Sequence, residues 1–114
     1  AYPWGQRFDT AVCNTVEGHV YTTTPVGLYP GSVSPYGLFD AAGNVWEWTA
    51  EWYRMYPGDE PSEEFGERFR AVRGGSWGLD RWVARCACRC RDVPDYFYVS
   101  VGFRVVSPGS ISEC

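Results

Sequence analysis

Apolar and polar positions alternate most clearly in NVWEWTAEWY, Asn44 to Tyr53. Trp46, Trp48, Ala50 and Trp52 fall on one side, Val45, Glu47, Thr49 and Glu51 on the other. Period two with an indole at nearly every second place predicts a half-buried strand, with helix an alternative at its end. FRAVRGGSW (Phe69 to Trp77) predicts a second strand closed by a glycine pair, and VGFRVV (Val101 to Val106) a third. The first forty residues read as turns and short extended pieces, rich in Gly, Pro, Ser and Thr. Thr22 to Thr24 are β-branched and precede Pro25, which favours extended backbone. YRMYPGDEPSEEFGER is an acidic loop, and the polar tail SPGSISEC is expected to fray. No internal repeat or second domain is visible.

A chain of 114 residues with 45% hydrophobic and 21% charged positions fits one globular domain. Aromatics make up 18%, and a domain this small cannot bury all of them, so some rings are expected to face outward. The net charge is −4 and every basic residue is Arg, which argues against a general nucleic-acid partner. No apolar run reaches the length of a membrane span. The chain opens at AYPWG, inside what reads as a structured element, so it is expected to belong to a longer protein or to have lost a leader.

Chemistry is concentrated between RGGSW and VGFRVV, in GLDRWVARCACRCRDVPDYFYVS. This passage is either a reaction centre or a surface built to touch something. Cys86, Cys88 and Cys90 alternate, so in a strand they share one face and are poorly placed to bond one another. With Cys13 and Cys114 they form no CxxC pair. Incidental thiols are the favoured reading and a metal cluster the alternative. His19 has no partner nearby in sequence and reads as a loop residue.

Tyr2 to Gly5 (YPWG), Asn14, Thr24 to Gly27 (TPVG), Ser34 to Thr49 (SPYGLFDAAGNVWEWT), Val72 to Trp77 (VRGGSW) and VGFRVV, in that order, resemble the formylglycine-generating, or sulfatase-modifying factor, domain. The resemblance covers nearly the whole chain. It implies an α+β, C-type-lectin-like fold: a small twisted antiparallel sheet, long irregular loops and two helices. It also implies one domain over residues 1–114, the C-terminal part of a longer protein. The family often places Ca²⁺ in GLFDAAGNVWEW, which would make the Asp40 and Glu47 carboxylates and the Gly43 and Val45 carbonyls its ligands. The alternative is that both carboxylates hydrogen-bond loop amides. A second cation site is expected to be lost, because Gly18 stands where a carboxylate is wanted. The family's oxidases hold Cu(I) with two cysteines shortly after the GGS-aromatic turn. Gly78 to Arg85 contains none, so no copper and no catalytic residue is expected.

Variable proteins of diversity-generating retroelements share this scaffold and frame a diversified surface between RGGSW and a GFR strand. That resemblance implies a ligand-binding surface at Gly78, Leu79, Asp80, Cys88, Cys90, Arg91, Asp92, Val93, Tyr96, Phe97, Tyr98, Val99 and Ser100. Arg81, Trp82, Ala84, Arg85, Ala87, Arg89, Pro94 and Asp95 would be the fixed frame. Adenine-specific mutagenesis of AAC-type codons reaches every residue except Trp, Met, Gln, Glu and Lys, and none of the thirteen positions is one of these. Arg85 and Arg89 are expected to brace loop carbonyls, and Trp82 to fill space beneath. Tyr96, Phe97 and Tyr98 would be rigid contact area, with Arg91 and Asp92 adding charge; core packing of the triplet is the alternative. The expected function is therefore a display module for a protein or other macromolecular ligand. An oxidase of the formylglycine-generating type, its inactive relative, or a structural domain with decayed sites are the alternatives.

Overall fold

The computed structural model describes residues 1–107. Cys114 and the tail from residue 108 lie outside the described residues. Four strands, β1 (Trp46–Trp52), β2 (Arg70–Arg73), β3 (Cys90–Asp92) and β4 (Val101–Gly102), make one sheet in the order β3-β2-β1-β4. Two single-turn 3₁₀ helices, Val16–Gly18 and Pro30–Ser32, are the only helical elements among the described residues. The two helices implied by the resemblance are not found there.

The long alternating segment becomes β1, which stays extended to Trp52. Its register against β2 shifts between Trp48, opposite Val72, and Trp52, opposite Arg70. In that irregular stretch side chains replace ladder bonds: the Thr49 hydroxyl donates to the Ala71 carbonyl at 2.9 Å, and Arg70 donates to the Ala50 carbonyl at 2.6 Å. The Arg70 guanidinium also lies 3.7 Å from the Trp52 ring centre. These contacts hold the strand end that could otherwise have wound into helix.

The sheet is not wholly antiparallel, as the resemblance implied. β4 pairs with β1 in parallel, Trp46 opposite Val101 and Glu47 opposite Gly102. Parallel pairing needs a long connection, and β2, β3 and their loops all intervene between these two strands. β3, opposite Arg70, Ala71 and Val72, is a strand that the sequence pattern did not show.

The interior is small and mixed: Tyr2, Ala42 and Ala84 form an apolar cluster with Trp4 and Phe8 packed against it. Cys13, Asn14, Thr15, Ser32 and Ser76 are buried with Ala71, Val72, Ala84 and Trp46. Backbone hydrogen bonds lace three loops together: Gly43 N–H to the Gly74 carbonyl (2.7 Å), Asn44 N–H to the Asn14 carbonyl (2.8 Å), and Trp77 N–H to the Asn44 carbonyl (2.9 Å). Gly43 sits at φ 77°, and a Cβ there would stand 2.6 Å from the Asn14 carbonyl oxygen. Only glycine permits that approach. The Asn44 side chain in turn accepts from Thr24 N–H at 2.9 Å and donates to the Thr24 carbonyl at 3.2 Å. Loop backbone is thus satisfied by other loops, as a fold with little regular structure requires.

Candidate binding surface

Gly78–Asp80 follow the glycine turn at the end of β2 and are exposed. The Leu79 carbonyl accepts from Val16 N–H at 2.9 Å, and Glu17 accepts from Arg81 N–H at 2.9 Å, so this loop hangs on the first 3₁₀ turn. Asp80 accepts from Trp82 N–H at 3.0 Å.

The frame residues are arranged differently from expectation. Trp82 does not fill space beneath the surface; it is 60% exposed, with the Arg81 and Arg85 guanidinia each 5.8 Å from its ring. Small Ala84, almost fully buried, and Val83 occupy the space against Gly75 and leave no room for an indole. Arg85 is exposed and bonds the carbonyl of Trp82, three residues back, at 2.7 Å. The brace is Arg73 of β2. It donates to the carbonyls of Cys86 (3.1 Å) and Cys88 (3.3 Å) and to the Tyr56 hydroxyl (2.8 Å). Among the described residues, Arg89 braces no carbonyl. Its side chain, only 10% exposed, lies over Tyr56 and Tyr53 at 3.7 and 4.4 Å and pairs with Asp59 at 3.7 Å. Pro94 is exposed and opens the turn in which Tyr96 N–H meets the Val93 carbonyl at 3.0 Å.

The thirteen proposed contact positions divide into two groups. Gly78, Leu79, Asp80, Val93, Tyr96, Phe97, Tyr98 and Val99 are exposed. Cys88, Cys90, Arg91, Asp92 and Ser100 are half-buried. Cys90 to Asp92 are half-buried because they form edge strand β3. Arg91 is ion-paired with Glu64, and burial raises the Asp92 carboxyl above its ordinary range. Ser100 gives its carbonyl to Trp46 N–H at 2.7 Å. Phe97 is 88% exposed, Tyr98 61% and Val99 65%; the Tyr96 and Tyr98 rings stand side by side, 6.3 Å between centres.

Among the described residues, no group of three His, Cys, Asp or Glu side chains is placed to hold a metal. Burial pushes the Cys13 thiol up to about 11, and Cys88 is raised for the same reason, so neither is poised as a thiolate. In the implied calcium loop, Asp40 accepts from Gly27 N–H at 2.8 Å. Both Glu47 oxygens receive hydrogen bonds from Arg104, at 2.6 and 2.7 Å. Glu47 is thus paired with Arg104, and the Asp40 carboxylate with a loop amide, the alternative to a calcium-ligand role.

Residues 1–108 match the model of the sulfatase-modifying factor enzyme 1-like domain. The chain belongs to this family. It is 33% identical over 111 residues to a hercynine oxygenase of Mycobacterium tuberculosis, covering 91% of this chain and 26% of that protein. It is 34% identical to the inactive Cα-formylglycine-generating enzyme 2 of Mus musculus, covering 93% of this chain and 36% of that one. Among solved structures, Treponema denticola variable protein 1 superposes with a TM-score of 0.68 at 26% identity, over 82% of this chain and 34% of its own. The chain therefore spans about a quarter to a third of the curated relatives it matches. Sulfatase-modifying factor relatives include both oxygenases and inactive forms, and this chain shares their C-type-lectin-like fold with almost no helix. No helix among the described residues is long and apolar enough to cross a membrane.

Arg73 and Arg104 are the residues that sequence reasoning passed over. Both stand inside the framing motifs, RGGSW and GFR, where they read only as strand ends.

Proposed function

We propose that this chain is a ligand-binding display module, a variable protein of the kind diversified by retroelements. Its contact surface is Gly78–Asp80, Val93 and Tyr96–Val99. The observation that carries the reading is the run Tyr96, Phe97, Tyr98, Val99: four consecutive large side chains, all exposed. A core segment would bury about half of them by alternation. Exposed aromatics with two rotatable angles give large contact area at low entropic cost, the economy of antibody paratopes. The ligand is a protein or other macromolecule, not nucleic acid, and its identity is set by the individual variant. Likeness to Treponema denticola variable protein 1 supports the reading. Cys88 and Cys90 to Asp92, being half-buried, modulate the surface from its edge.

Identity to hercynine oxygenases favours a second reading, an oxygen-using enzyme. Against its formylglycine-generating form stands Gly78 to Arg85, which lacks the thiol pair that such copper chemistry would need.

Sequencing the surrounding locus tests the proposal. A reverse-transcriptase gene is expected beside a near-identical repeat of the segment coding residues 73–106, differing at adenines. Natural isolates should vary at the exposed positions and keep Arg73, Arg89 and Trp46. A locus with neither repeat nor such variation overturns it.

A further inference from the structure

We propose that Arg81, Trp82 and Arg85 form an anchor for an acidic protein surface, one that presents two carboxylates beside an apolar side chain. The inference deepens the display reading and rests on it, because the three residues continue the contact surface from Gly78–Asp80. The Trp82 indole is 60% exposed, while Val83 and Ala84 fill the space against Gly75. A large side chain with no packing role at home is free to be buried by a partner. Trp and Arg are the residues on which interface energy most often concentrates.

The turn holds indole and cations together. Asp80 accepts from Trp82 N–H at 3.0 Å through its carboxylate and from Val83 N–H at 3.3 Å through its carbonyl. Arg85 Nε donates to the Trp82 carbonyl at 2.7 Å, which ties its guanidinium to the same turn. Its two terminal nitrogens have no hydrogen-bond partner among the described residues. Arg81 meets Glu17 through Nε at 3.5 Å, and its side chain stays 51% exposed. Both guanidinia lie 5.8 Å from the indole centre, so one open ring has two donor forks beside it. Such a fork takes a carboxylate bidentately, and a cation beside an indole is held more strongly once solvent is excluded. Asp80 and Glu17 leave the forks available, since each is turned to a backbone N–H, of Trp82 and Arg81.

Charge selects carboxylates over a phosphate backbone. The chain carries −4 overall, so a long polyanion is repelled beyond the patch. A pair of carboxylates needs no more than the two cations present.

The experiment is a titration of the nitrogen-15-labelled full chain with the peptide Glu-Glu-Leu-Glu-Glu at low salt, following the indole N–H resonances. Trp82→Ala identifies its own resonance by deletion; if it fails to fold, Trp82→Phe serves. The Trp82 resonance is expected to shift most, and Arg85→Ala to weaken binding at least about threefold. Arg54→Ala, which removes an exposed charge elsewhere, should leave the affinity unchanged. No shift at Trp82, no loss in Arg85→Ala, or an equal loss in Arg54→Ala overturns the proposal. Tighter binding of oligothymidine at the same indole overturns it in favour of nucleic acid. A silent indole leaves the sequencing test of the display reading untouched, and a locus without repeats leaves a positive titration standing, so the two failures are distinguishable.

Discussion

The Arg89 guanidinium lies 3.7 Å from the centre of the Tyr56 ring and joins the segment just before β3 to the acidic loop. Tyr53 stacks on Phe65 at 5.3 Å beside it, and Asp59 supplies the counter-charge. A cation enclosed by aromatic faces and one carboxylate is held by its quadrupole contacts as well as by its ion pair. Arg89→Ala should lower stability by about 2–4 kcal/mol, since it empties a nearly closed cage. Arg89→Lys should fall between, as it keeps charge and loses the planar stack. Urea denaturation of both variants measures this, and a loss under about 0.5 kcal/mol for Arg89→Ala would remove the anchor role.

Side chains on the open face should be nearly free to change. Tyr96→Ser, Phe97→Ser and Tyr98→Ser are each expected to shift stability by less than about 1 kcal/mol. Trp82→Ala joins them, because its indole is 60% exposed. Trp46→Ala, in the buried start of β1, should cost about 3–5 kcal/mol. Thermal melts of the five variants rank them, and an aromatic triplet costlier than Trp46 would make the triplet core.

Those rankings show where the sequence could be read and where it could not. Alternating indoles locate β1, and the glycine pair locates the end of β2, because both signals are local. β3 escapes because Cys90, Arg91 and Asp92 have no apolar alternation of their own; they become a strand only because β2 offers an edge. The parallel pairing of β4 escapes because a sequence pattern gives a strand's faces but not its direction. Trp82 misleads for a related reason. An indole suggests a filler, yet the turn capped by Asp80 sends it outward while Ala84 takes the space. Arg104 reaches Glu47 from 57 positions away, a distance at which no spacing rule operates.

Alkaline pH should destabilise the protein through Cys13. Its thiol is held up to about 11 by burial, with the hydroxyl of Thr15 partly offsetting. An unfolded cysteine ionises near 8.5. Between these values the unfolded chain has lost a proton that the folded chain keeps, so stability is full below the lower value and falls as pH rises towards the upper one. Urea midpoints should decline across that window, and the decline should shrink in Cys13→Ala. An equal decline in both proteins would assign the effect elsewhere.

Incubation with a CxPxR peptide, Cu(I) and oxygen should leave the peptide cysteine unchanged by mass. Gly78 to Arg85 carries no thiol to hold the metal. An aldehyde product at turnover would sink the display reading.

β3 and β4 lie on opposite edges of the sheet and run the same way, so residues 93–100 start beyond the end of one and must arrive at the beginning of the other. Crossing three interstrand gaps takes about 14 Å, and the return along the sheet must be added. Eight residues fully extended reach only about 28 Å, and turns at Val93–Tyr96 and Tyr98–Val101 shorten that span. The strap has little slack. Its length is therefore constrained even where its side chains are exposed: one residue deleted from Tyr96–Val99 would drag β4 out of register and pull Arg104 from its loop. Evolution along this strap is thus confined to exchanging residues, not to adding or removing them.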